Sequence, residues 1–226
     1  MTKRLRAPGA RLRQAATLLA AALLAASGAG AELDPPALLA KGVEQVEAWD
    51  IEGAAAVVDE LVSRFPSSPE TAFLRGRVLF EQGRYDEAVR AYQDASTRSG
   101  DSEGSFETHL RLAKNAAEEV RGAKTAESAH FIFFAKAEKD LLLAPYALDA
   151  LEKAYAALTQ DLGYQPPAKT RVEIYDSAQA LARVSPLTVA EIKGSGTIAL
   201  CKYNRLMVTS PRALLRGYPW LDTVAH

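Results

Sequence analysis

The residues able to do chemistry in this chain are few, and their scarcity excludes much. There is one cysteine, Cys201, and there are three histidines, His109, His130 and His226. A single cysteine can close no intramolecular disulfide and supplies no cysteine-based zinc site, so metal chemistry here must use histidine and carboxylates. Cys201 falls in an apolar run that reads as a strand, with no histidine close in sequence, and is expected to be a buried, inert thiol. His130 lies in the aromatic run 129–135 and is expected to be a half-buried packing residue. His109, on a polar helix, is expected to be exposed. Lys202 and Arg205 are expected to solvate a hairpin. Gly194-Ser-Gly196 lacks the lysine and the following helix of a phosphate-binding loop, which leaves nucleotide binding without support.

The 226 residues are 48% hydrophobic and 24% charged, an ordinary globular composition for one or two domains. Lys3, Arg4, Arg6, Arg11 and Arg13 precede every acidic residue; setting these five aside leaves twenty-two basic against twenty-eight acidic side chains. A mildly acidic body offers no basic face to a nucleic-acid backbone, so nucleic acid is not an expected partner. The basic start, the uncharged Leu/Ala run 15–26 and the small-x-small Ala29-Gly-Ala31 read together as a secretory signal peptide over 1–31. The apolar run is too short for a stable membrane anchor. The expectation is an exported chain, periplasmic or extracellular after cleavage near Ala31.

From 33 to 99 the pattern is one of helical hairpins with a period of 34: Gly42 recurs as Gly76 and Ala54 as Ala88. Small residues at these places let paired helices approach, while Tyr85 and Tyr92 fill the space between hairpins. These residues resemble the tetratricopeptide repeat, well in the second copy and more loosely in the first. The resemblance implies a protein or peptide partner. A helix over 105–120 is expected to cap the array, and the repeat region is expected to span 32–122.

Beyond Gly122 the pattern turns mixed. Strands are expected at 129–135, 171–175, 197–203 and 206–209, the last two as a hairpin, with helices at 140–162, where Pro145 implies either an irregular first turn or a start near that residue, at 177–184, and a final one from Pro219. Gly163 and Pro166-Pro167 stop the long helix. The fold class is therefore helical hairpins followed by a partial α+β domain, 123–226, in which helices cover one face of a small sheet.

The stretches His130-Phe-Ile-Phe-Phe134, the 151–163 helix end, Val172-Glu-Ile-Tyr175, Gly194-Ser-Gly-Thr-Ile-Ala199 and Tyr218-Pro-Trp-Leu-Asp-Thr-Val-Ala-His226 resemble the first half of a gluzincin zinc metallopeptidase domain of the peptidase MA-like kind. In that family Thr-x-Ala-His leads into a helix bearing HExxH, whose two histidines hold zinc and whose glutamate takes a proton from metal-bound water. The resemblance makes His226 the first zinc ligand. The general-base glutamate and the other ligands have no counterpart in these residues. It further implies an edge strand that pairs with substrate, Leu206, Met207, Val208 and Thr209, with either strand of the hairpin open to being that edge. The expectation is a fragment of an exported zinc metallopeptidase, inert as written and holding no zinc itself, with zinc as cofactor of a full-length product. The alternative is a noncatalytic repeat protein for binding or scaffolding.

Overall fold

The computed structural model describes residues 34–100 and 106–225; the expected signal peptide and His226 lie outside them. The helical half begins with α1 (Pro35–Glu47) and α2 (Ile51–Arg64), then α3 (Pro69–Glu81) and α4 (Tyr85–Ser99). Proline opens α1 and α3, where its missing N–H is not needed. The Asp50 and Ser68 side chains accept from the backbone N–H groups of Gly53 and Thr71, capping α2 and α3. Gly83, at φ +73°, makes the turn between α3 and α4 in the left-handed region that glycine tolerates.

The fifth helix, α5 (Glu107–Val120), is the one expected to cap the array. It packs on α4 and, through its other flank, on α8 (Ala178–Val184). A buried core therefore runs unbroken from Leu79, Tyr85 and Tyr92 in the repeats through Ala113 and Ala116 to Leu181, Tyr175 and Met207. The turn at Gly122 is a corner of the chain, with no gap in packing across it.

The sheet has five strands, β1 (Lys124–Glu127), β2 (Phe131–Ala135), β3 (Thr170–Tyr175), β4 (Ala199–Lys202) and β5 (Arg205–Thr209), in the spatial order β1-β2-β3-β5-β4. β2, β3 and β5 run parallel, and the outer pairs are antiparallel. This corrects the sequence expectation for 206–209. β5 is an interior strand, registered on β3 through Val172↔Leu206 and Ile174↔Val208 and on β4 through Cys201↔Leu206, so it has no free side for a substrate. β1 and β4 are the edges.

Helices cover both faces, not one. Side chains alternate along the strands. Phe131, Phe133, Val172, Ile174 and Val208 meet α7 (Ala144–Leu162) and α10 (Trp220–Ala225) on one side. Tyr175 and Met207 meet the repeats, α5 and α8 on the other. Of the two expectations for 140–162, the helix that begins near Pro145 is the one found: α7 starts at Ala144 with Pro145 in its first turn, where it interrupts no hydrogen bond, and a separate short α6 (Glu138–Leu141) precedes it. α6 is bolted to the end of β5: Ser210 Oγ donates to Asp140 Oδ1 at 2.7 Å and Arg212 binds both Asp140 oxygens at 2.7 Å. α9 (Val189–Ser195) opens with a capping box between Thr188 and Glu191 and ends at Gly196, φ +69°.

Candidate functional site

The two sheet edges are built differently. β1 presents Lys124 and Glu127, each exposed and ion-paired, to Glu138 at 2.7 Å and to Lys169 at 2.9 Å. Charges of this kind block pairing with another strand. β4 reads Ala-Leu-Cys-Lys and bears its only charge at its last residue. Between β4 and α10 lies a groove of about 500 Å3, whose walls include Ile198, Ala199, Leu206, Val208 and Val224. The register explains its apolar lining: Ala199 and Cys201 share a face with Val208 and Leu206. Cys201 is exposed in this groove, contrary to the buried thiol expected. Partial desolvation raises its pKa, so it is a thiol and not an activated nucleophile.

The second site is the joint between repeats and sheet, and it overturns the expectation for Arg205. That side chain is 1% exposed. Its Nη1 donates to the Tyr85 hydroxyl at 2.7 Å, and Tyr85 donates in turn to Glu173 Oε1 at 2.7 Å. Tyr175 donates to Glu173 Oε2 at 2.6 Å, and Arg171 Nε to Oε1 at 3.0 Å. Burial and the Glu173 charge push both tyrosines above their usual range, so they stay protonated as donors. Burial opposes the charge on Arg205, but Tyr85 and Glu173 outweigh it and raise its pKa. Lys202 stays at the hairpin, 3.9 Å from Glu81.

The repeat residues form the seams of the hairpins. A Cβ on Gly42 would meet Leu74 at 2.6 Å, and one on Gly76 would meet the Tyr92 ring at 2.6 Å. Ala54 and Ala88 are fully buried, and Tyr92 is 1% exposed. Tyr85 belongs both to this seam and to the polar joint.

The histidines separate in role. His130 stacks on Tyr155 at 3.8 Å, and its Nδ1 lies 2.7 Å from Glu152 Oε2. Desolvation works against the Glu152 charge, but hydrogen bonds from the His130 ring, Ser128 and the His130 backbone N–H prevail and lower its pKa to about 2. His109 is not on an exposed face; it is largely enclosed by Phe73 and Tyr92. Among the described residues no three His, Cys, Asp or Glu side chains come together as a metal would require. His226, to which the resemblance points, is outside them.

Residues 39–103 match the tetratricopeptide repeat family. No curated protein and no solved structure matches the chain. The matched residues run from within α1 through α4, the hairpins described above, and such repeats are protein-interaction modules. Among the described residues no helix is long and apolar enough to cross a membrane.

Proposed function

We propose that this chain is the front part of an exported zinc-dependent metallopeptidase of the gluzincin type, in which the repeats receive a protein partner and β4 receives an extended peptide. One observation carries the reading. α10, which bears Thr223-Val-Ala on the approach to His226, packs against α7, and the apolar groove lies between it and the antiparallel edge strand β4, whose one charge is at its end, Lys202. An extended segment laid along β4 would gain main-chain hydrogen bonds from the strand and seat alternate side chains over Ala199 and Val208. The basic and apolar residues of 1–26 support export.

The test is to read the gene beyond the codon for His226, express the product with whatever follows, and measure peptide hydrolysis with and without a chelator. A Glu-x-x-His continuation, chelator-sensitive cleavage and its loss in His226→Ala support the reading. Any other continuation, or an inert zinc-loaded product, overturns it in favour of a noncatalytic repeat module.

A further inference from the structure

α5 straps the repeats to the sheet, and its two ends are held by different chemistry. Towards its C-terminal end Asn115 donates to the Arg183 carbonyl at 3.1 Å and Glu118 pairs with Arg183 at 2.6 Å. Its first turns rest on apolar and aromatic contact: Leu110 packs into the core, the His109 ring stands edge-on to Phe73 at 4.9 Å and lies 5.8 Å from Tyr92, and Phe106 lies 4.8 Å from Phe73. Nδ1 of His109 is buried with no hydrogen-bond partner among the described residues.

A neutral imidazole can occupy such a place at modest cost, whereas an imidazolium cannot. Its buried N–H would find no acceptor, and its charge would be stripped of water. The groups that face it complete the case. From α3, Arg77 repels a positive charge, as does Lys202 from β4. Glu81 of α3 is paired with Lys202, and Tyr92 of α4 keeps its proton because burial raises its pKa. Burial first, then Arg77 and Lys202, push the His109 pKa down to about 4.

We propose that His109 makes the docking of the first turns of α5 on the second repeat acid-sensitive, closed at neutral pH and opening in mildly acidic solution. Above the ordinary histidine value of 6.5 neither state binds the proton and pH has no effect. Below it the opened state takes up the proton and the docked state refuses it, so the ratio of opened to docked rises by up to about tenfold per pH unit until the docked value is reached. Opening uncovers Phe73 and Tyr92 on the repeat.

The experiment compares the full chain with His109→Phe and His109→Gln by hydrogen–deuterium exchange at pH 7.5 and 5.0, corrected for intrinsic rates, alongside an NMR titration of the imidazole protons. Acid-accelerated exchange at 107–113 in the wild type, its absence in His109→Phe, and a His109 signal that does not titrate near 6.5 are expected. Equal acceleration in wild type and His109→Phe, acceleration spread over the whole chain, or a His109 midpoint near 6.5 would overturn the proposal. Should the phenylalanine variant not fold, the glutamine variant and the wild-type titration give the same decision.

Discussion

Glu173 shows how much one side chain can carry. At 1% exposure it accepts from Tyr85, Tyr175 and Arg171, and Tyr85 links it to Arg205. Replacing it with leucine strands a buried guanidinium, and an uncompensated buried charge costs about 3–5 kcal/mol. Urea denaturation of Glu173→Leu should read a loss of that size. Adding Arg205→Met should recover part of it, since the pair removed together leaves no orphan. Glu152 makes a separate pH prediction. Its folded pKa of about 2 lies below the ordinary 4.5, so its contribution is present above 4.5 and lost as pH falls towards 2. Glu152→Gln should lower Tm at neutral pH and flatten the Tm profile between 4.5 and 2, and an unchanged profile would refute the role of the His130 contacts. The alternation Arg171-Val-Glu-Ile-Tyr175 was readable in the sequence as one polar and one apolar face. That the polar face meets the repeats was not, because Arg205 finds Tyr85 across 120 residues of chain. The same holds for His109, whose burial depends on rings from α3 and α4.

At the scale of elements, close approach decides which glycines are needed. Gly76 has the Tyr92 ring where a Cβ would go, and that ring is 1% exposed with little room to yield. Gly76→Ala should therefore destabilise by about 1–3 kcal/mol despite alanine's better helix propensity. Gly194 is also helical but has open space where its Cβ would lie. Gly194→Ala should stabilise by about 0.5–1 kcal/mol, and opposite signs for the two in thermal melts would check the argument. The period of 34 made the first of these legible, since the small residues recur in register. The hairpin over 197–209 was legible too, but its edge strand was not, since which member pairs with β3 depends on tertiary order. β1 escaped because Lys-Thr-Ala-Glu is a polar edge with little apolar alternation to detect. α9 escaped because Gly194 and Gly196 read as a break, whereas only Gly196 ends the helix.

For the whole molecule, the question is whether repeats and sheet are two bodies or one. The contacts between them include a shared apolar core, the buried Tyr85–Glu173–Arg205 joint, a hydrogen bond from the Tyr203 hydroxyl to Glu52, and the α5 strap onto Arg183. Two tetratricopeptide hairpins are a short array, and stacked repeats gain stability from neighbours, so the sheet serves the second hairpin as its next neighbour. The sheet needs the repeats equally, because without them Glu173 and Arg205 would face water beside the apolar Met207 and Leu181. Calorimetry of the chain should therefore show one transition, with far-UV and near-UV signals melting together. Tyr85→Phe deletes one hydroxyl at the joint, leaves a buried arginine donor and a carboxylate oxygen short of a partner, and should lower that single Tm without splitting it. Two transitions, or a Tyr85→Phe effect confined to the helical signal, would show instead that the repeats are a separate body resting on the sheet.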